Sequence, residues 1–529
     1  MSDQSLQRNL LSRVNLGDLL LRSAARGPHQ LAIVDGARRI TYRDLNEWVN
    51  QVAHGLVTLG YRRGDRLALM SANNPEFLAA YFACAKLGVV CVPINLFWLK
   101  HELAYVLGHA AVRGVLVEMS LLEQLGSALS ETESVQDVIV IGGEAGEIHG
   151  RRCLGFEPLH ADMPRAEPEA IVEDRDPMSY IYTSGTTAAP KGVVTSHLAI
   201  YLQSLGLALD TRMSSADRIS AFMPFFHTAQ LNMLATPAIA VGATLFIQRG
   251  FDATGLLHLI EAERLTCIFG LPMMYRAMLE QLELHGRDLS SLRLAIYAMA
   301  PMPVDELRNA MAVFGCEFSL TFGQTEMSPL STYFRPEHQF SHPGAVGIAS
   351  VNVEVKIMDA DGNFLAPGQS GEIVYRSPQL LSCYLDNPEA TDKACADGWF
   401  HSGDTGRLDA DGILWFEDRS KDVIKSGGKN IASIEVEKAL RAADARVQEV
   451  AVIGLPHERW GEAVTAVVIA KSGEPIDEKT LLTKLREQLS PYKCPKRIVF
   501  METLPKTATG KVQKAKLRVE LTALYQTSE

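Results

Sequence analysis

Between residues 31 and 118, short apolar runs alternate with helical patterns, and nothing else in the chain restricts its fold as strongly. Leu31–Val34, Arg66–Met70, Val89–Pro93 and Gly114–Glu118 read as strands. Thr41 to about Leu59, Pro75–Leu87 and Leu99–His109 read as helices. Alternation at this spacing predicts layered α/β sheets with parallel strands, since each parallel crossover needs a helix to bring the chain back. Glu144–Asp176 is richer in charge, Gly and Pro and reads as a connector. The alternation then resumes: helices at Ala199–Leu209, Gln230–Ala240, Thr254–Glu263 and Met273–Leu284, strands at Arg218–Phe222, Ala243–Ile247, Cys267–Gly270 and Leu294–Tyr297. From Val351 the pattern changes to short strands punctuated by Asp-x-x-Gly turns, predicting a β-rich subdomain over about 351–417. An α+β unit follows. The expected organisation is a large N-terminal domain, residues 1–420, and a small C-terminal domain, residues 421–529.

A chain of 529 residues exceeds one ordinary core and calls for more than one domain. Its eight cysteines are scattered, with no Cys-x-x-Cys pair, which predicts reduced thiols and neither a zinc nor a disulfide framework. With no signal-peptide pattern and no apolar run long enough for a span, the expectation is a cytoplasmic protein without stable membrane insertion. A net charge of −11 argues against nucleic acid as a partner. The charge is uneven: Lys421 to Glu529 holds 19 Lys and Arg against 14 Asp and Glu, a basic segment on an acidic body. Such a segment suits an anionic ligand, and it also suits a solvated helical face.

The chemistry-bearing stretches are polar inserts in apolar surroundings. Tyr182-Thr-Ser-Gly-Thr-Thr-Ala-Ala-Pro-Lys-Gly192 combines four hydroxyls, two glycines and a lysine with no acid. Such a loop can aim N–H groups, hydroxyls and one full charge at an anion, although a polar surface turn has a similar composition. Pro224-Phe-Phe-His227 ends a strand on a histidine. Ala298-Met-Ala-Pro-Met-Pro303 and Thr321-Phe-Gly-Gln-Thr-Glu326 put an apolar platform, a threonine and one carboxylate at strand ends, where α/β sheets bind ligands. A single carboxylate beside phosphates is a usual Mg²⁺ arrangement. Gly398-Trp-Phe-His-Ser-Gly-Asp404 supplies an acid suited to ribose hydroxyls, and Pro505-Lys-Thr-Ala-Thr-Gly-Lys511 is a second small-residue loop ending in lysine.

In this order the stretches resemble the adenylate-forming superfamily: acyl-CoA synthetases, luciferase-like enzymes and peptide-synthetase adenylation domains. The resemblance runs from about Leu31 to the last helix and is most like a bacterial fatty-acid–CoA ligase. It implies ATP and CoA as co-substrates, Mg²⁺ as cofactor, a small-molecule carboxylic acid as substrate, and a homodimer among the expected assemblies. It implies that Thr183, Ser184, Gly185, Thr186, Thr187 and Lys191 meet the ATP phosphates. Ala298, Ala300, Pro301 and Phe322 would flank adenine, Thr325 would touch the α-phosphate, and Glu326 would hold the metal. Asp404 and Arg419 would bind the ribose and phosphate. Lys421 would be the hinge. Lys511, with Glu326, His227 and Thr183, would make up the catalytic set. Lys425, Ser426, Gly427, Gly428, Trp460, Tyr492 and Lys496 would serve CoA. Cys494 stands where some aryl-CoA ligases place an arginine, and Ala188 where the loop usually has glycine.

For the acyl group, Phe225–Met233 carries no acid, which disfavours an amino acid substrate. The candidate lining is His227, Gln230, Leu231, Met299, Met302 and Met327, an apolar and methionine-rich set. Methionine adapts to flexible aliphatic shapes, so a medium- or long-chain fatty acid is the first expectation. An aromatic or alicyclic acid is the second, and loading of a carrier protein instead of CoA is a further alternative.

Overall fold

The computed structural model describes residues 3–143, 146–183, 190–299, 302–419, 421–427, 429–471, 476–507 and 510–525. Two compact units form: residues 1–354 with 375–400, and residues 355–374 with 401–529. Both are mixed α/β, as the alternation predicts, with the larger unit N-terminal.

The first unit contains two nine-stranded sheets. One has a parallel centre in the order Glu317–Gly323, Leu294–Tyr297, Cys267–Gly270, Arg218–Ala221, Thr244–Ile247 and Leu31–Asp35, with antiparallel strands at both edges. The other runs Lys191–Ser196, Pro177–Thr183, Val90–Pro93, Arg66–Met70, Gly114–Glu118, Asp137–Ile141 and Arg151–Gly155, closed by two-residue edge strands at Cys383–Tyr384 and Glu147–Ile148. Leu31–Asp35 and Arg66–Met70, the first two strands of the sequence pattern, therefore lie in different sheets.

Helix Pro75–Leu87 shows how sequence sets this layering. It is apolar on every side and buried at every position but Glu76, as a helix enclosed by other elements must be. Asn74 caps its start by accepting from the Phe77 N–H, Pro75 opens it, and Gly88 ends it in the left-handed region. Its one interior charge, Lys86, is fully enclosed. The ammonium donates to Asn46 Oδ1 at 2.7 Å, Asn50 Oδ1 at 2.6 Å and Glu167 Oε2 at 2.6 Å. Burial lowers the Lys86 pKa. Burial alone would raise Glu167, but the Lys86 charge and three hydrogen bonds carry it below the usual carboxylate value.

Two expectations need correction. Residues 144–176 are more than a connector: Arg151–Gly155 pairs in parallel with Asp137–Ile141, and Phe156–His160 is a short helix. Arginine-rich and at the sheet's rim, the strand lacks the apolar run that marks its neighbours. The helix expected at Gln230–Ala240 is interrupted, with wide π-type turns at Leu231–Ala235 between α-helical Thr228–Gln230 and Thr236–Val241. Pro237 supplies no N–H there, so the regular ladder cannot continue through it.

The second unit holds a four-stranded sheet (Glu354–Met358, Gly371–Arg376, Phe400–Leu408, Leu414–Arg419) and a five-stranded one built on the hairpin Val447–His457 and Gly461–Ala470. Ile424–Ser426, Lys429–Ile431 and Arg497–Phe500 complete the latter. Helices Ser433–Ala443 and Glu478–Gln488 bury one face of it, and Lys514–Glu520 caps the other through Leu517. Among the described residues, no helix is long and apolar enough to cross a membrane.

Candidate functional site

In the first unit the site residues gather where chain leaves the carboxyl ends of parallel strands. Arg218–Ala221 leads to His227, Leu294–Tyr297 to Ala298, and Glu317–Gly323 to Thr325 and Glu326. Gly323 is required at its turn, because a Cβ there would overlap the Pro329 carbonyl oxygen. Phe322 is half-buried, and so are Thr325 and Glu326. Ala298 is buried; Ala300 and Pro301 lie outside the described residues.

The phosphate-loop stretch joins two antiparallel strands, and Thr183 pairs directly with Lys191 at its base. Ser184, Gly185, Thr186 and Thr187 lie outside the described residues, as does Ala188. Lys191 Nζ stands 5.0 Å from the centroid of the Tyr384 ring. The Tyr384 hydroxyl donates to Glu326 Oε1 at 2.9 Å. Among the described residues Glu326 has no carboxylate, histidine or cysteine cluster around it that would make a ready protein cage for a metal. One carboxylate with an oxygen to spare suits Mg²⁺, which keeps waters and takes phosphate oxygens as its other ligands.

His227 is positioned from the other sheet. Asn73, just beyond Arg66–Met70, donates to Ala221 O at 3.2 Å and Met223 O at 2.8 Å, and accepts from Phe225 N–H at 2.8 Å. The imidazole Nδ1 accepts from Ala229 N–H at 3.3 Å, and burial pushes its pKa down to about 4, so the ring is neutral at physiological pH. Gln230 is buried. Its Oε1 accepts from Met223 N–H at 3.2 Å, while Nε2 has no partner among the described residues. Leu231 and Met327 are fully enclosed. Met302 faces a void shared with Tyr297, Leu307, Leu320 and Phe334, whereas Met299 is half exposed with φ of 72°. The three methionines thus do not share one surface.

The second unit carries further cationic residues. Asp404 and Arg419 pair in register across antiparallel strands, with Arg419 Nε 3.4 Å from the carboxylate. Lys511 follows a tight turn in which Thr507 N–H donates to Lys511 O at 2.8 Å and Gly510 N–H to Thr507 O at 2.9 Å. Its pKa falls to about 8, first through desolvation, then through the Arg419 and Lys421 charges, with Asp404 and Asp422 opposing. Lys421 is lowered too, by desolvation and by Arg419. Arg419, Lys421 and Lys511 thus bear on one another electrostatically, with Asp404 and Asp422 opposing, an arrangement that an added anion relieves.

Two aromatic rings lie further out. Arg459 and Lys496 flank Trp460 at 4.7 and 4.9 Å, and Lys429 and Lys493 flank Tyr492 at 5.2 and 5.8 Å. Gly427, at φ of 57°, brings its N–H to Trp460 O at 2.8 Å, and a Cβ there would meet the indole. Ser426 is buried and Lys425 is exposed; Gly428 lies outside the described residues. Cys494 packs in the core of this unit.

Asn73 and Tyr384 were not legible as site residues. Each is an unremarkable polar residue whose importance comes from a partner more than fifty positions away.

Layered α/β sheets with a smaller second unit are the architecture of adenylate-forming enzymes. The AMP-binding enzyme family matches residues 20–385, and the AMP-binding enzyme C-terminal domain matches residues 435–511. The chain belongs to this family, within its AMP-forming acyl-CoA ligases. It is 35% identical to a feruloyl-CoA synthase of Amycolatopsis over 503 residues, covering 95% of this chain and 98% of the relative. It is 33% identical to the long-chain-fatty-acid–CoA ligase FadD13 of Mycobacterium tuberculosis over 515 residues, covering 96% and 99%. ATP-bound MatB from Rhodopseudomonas palustris superposes with a TM-score of 0.88 at 30% identity, over 97% of this chain and all of that one.

Proposed function

We propose that this protein activates a hydrophobic carboxylic acid with ATP, releasing pyrophosphate, and transfers the acyl group from acyl-AMP to CoA, releasing AMP. The observation that carries the reading is the Lys511–Arg419–Lys421 cluster beside Asp404, cations held close with an acid suited to ribose. A carboxylate attacks an anionic phosphate poorly, and two lysines of this chain would supply the offsetting charge. Lys191 faces the phosphates that leave. Lys511 bridges the acyl carboxylate and the phosphate that stays, stabilising charge as it develops at phosphorus. Asp404 takes the ribose hydroxyls, Phe322 offers a stacking face to adenine, and Thr325 donates to the α-phosphate. Glu326 would hold Mg²⁺, which neutralises phosphate charge when bound. His227, kept neutral, borders the acyl end and adds no repulsive or attractive charge there.

For thioester formation, residues 421–529 turn about Lys421, so that Lys511 withdraws and Gly427 approaches the pantetheine arm. Trp460 and Tyr492, each between two cations, suit the purine and phosphates of CoA.

A medium- or long-chain fatty acid is the first substrate class, supported by the apolar Phe225–Phe226–Leu231 surroundings of His227 and by the likeness to FadD13. A second reading rests on Gln230. Its unpartnered Nε2 favours an aryl acid bearing an oxygen substituent, a class to which the feruloyl-CoA synthase's substrate belongs. Pyrophosphate release over a panel of alkanoic and oxygenated aryl acids, with and without CoA, decides between them. Release that needs an acid and AMP release that needs CoA are expected. Turnover with a carrier protein but not with CoA would overturn the acceptor.

A further inference from the structure

The segment Leu381–Leu385 touches both charged residues assigned to the triphosphate, Glu326 by main chain and side chain and Lys191 through the Tyr384 ring. Leu381 N–H donates to Glu326 O at 2.7 Å, Ser382 N–H to Val194 O at 2.8 Å and Leu385 N–H to Gly192 O at 2.8 Å. Strand Cys383–Tyr384 pairs with the strand that begins at Lys191. Tyr384 is 8% exposed; its hydroxyl holds Glu326 Oε1 and its ring face underlies the Lys191 ammonium. Among the described residues, Lys191 and Glu326 form no ion pair with each other, although one phenol touches both.

We infer that Tyr384 is a positioning residue of the nucleotide site, holding the Glu326 carboxylate by one oxygen and the Lys191 ammonium over its ring so that neither neutralises the other. The inference rests on the assignment of Lys191 and Glu326 to ATP and its metal. An unscreened lysine and glutamate this near a common group would otherwise gain by pairing, and the site would have to break that pair before each nucleotide bound. The phenol prevents this in two separable ways. The hydroxyl orients the carboxylate, leaving its second oxygen for a divalent cation. The ring gives the ammonium a weak, easily exchanged partner that phosphate oxygens displace.

The test is calorimetric titration of the full-length protein with ATP plus Mg²⁺ and with ATP in EDTA, for the wild type, Tyr384→Phe and Tyr384→Leu. Tyr384→Phe keeps the ring and loses only the hydroxyl; the dissociation constant for Mg·ATP is expected to rise about tenfold, as for a hydrogen bond to a charged group, with metal-free ATP binding unchanged. Tyr384→Leu is expected to weaken both. Equal binding by wild type and Tyr384→Phe in the Mg²⁺ arm would overturn the inference, as would equal weakening of the two arms by Tyr384→Phe. If the wild type itself binds no ATP, or if Lys191→Ala and Glu326→Gln leave binding untouched, the nucleotide assignment fails and this inference falls with it.

Discussion

Lys511 illustrates how far a single side chain is set by its surroundings. With its pKa near 8, it is charged at neutral pH and loses its proton as pH rises through that value. Acyl-AMP formation by the free enzyme is therefore expected to fall about tenfold for each unit above pH 8. In Lys511→Arg, whose charge does not titrate in that range, that alkaline limb should vanish from the pH profile of pyrophosphate release. Lys511→Ala should abolish acyl-AMP formation and largely spare thioester formation from supplied acyl-AMP, and equal loss in both half-reactions would refute the division of labour. At this scale the sequence was legible wherever a residue stood out chemically: a lysine closing a glycine-rich loop, or a carboxylate on a strand end. It was silent on Tyr384 and Asn73. A tyrosine in Leu381-Ser-Cys-Tyr-Leu385 looks like any edge-strand aromatic until its hydroxyl is seen on Glu326. Methionine richness could not say which methionines face a cavity: Met327 is fully enclosed, Met302 borders a void and Met299 is half exposed.

Elements were legible where hydrophobic period and caps agreed. Pro75–Leu87 has both, with Asn-Pro before it and Gly after it, and it forms over those residues. Arg151–Gly155 has neither an apolar run nor turn residues of its own, and only pairing with Asp137–Ile141 makes it a strand. Its stability is tertiary, which no local pattern records. Helix Pro75–Leu87 also carries an enclosed charge, Lys86. Glu167→Gln, which leaves Lys86 enclosed without a counter-ion, is expected to lower unfolding free energy by ~2 kcal/mol in urea titration, less than a wholly buried pair because Glu167 keeps some solvent. Glu47→Gln, at the exposed Arg165 pair, should shift it by less than ~1 kcal/mol.

For the whole molecule, the order of motifs carried the fold class, because five polar inserts at matching positions along an α/β chain have few common explanations. Sheet membership was not legible: strands 31–35 and 66–70 look alike in sequence and separate in space. A proline at the pivot tests the proposed turning of residues 421–529. Lys421→Pro fixes φ near −65° and removes an N–H, so pyrophosphate release should persist while thioester formation falls by at least tenfold, measured as separate half-reactions. Parallel loss of both would place the pivot elsewhere.

Asp418 sits three residues before that pivot. Its carboxylate accepts from Arg419 N–H at 2.8 Å and also from Ser433 N–H, at the start of a helix on the pivot's far side. Any swing about Lys421 must release the second bond. A charge-assisted hydrogen bond of ~2 kcal/mol corresponds to a population ratio of roughly thirty to one. The resting enzyme would thus wait in one posture, like a door on a spring catch. Its second half-reaction would be paced by how often the catch lets go, a rhythm set by a residue that touches neither substrate.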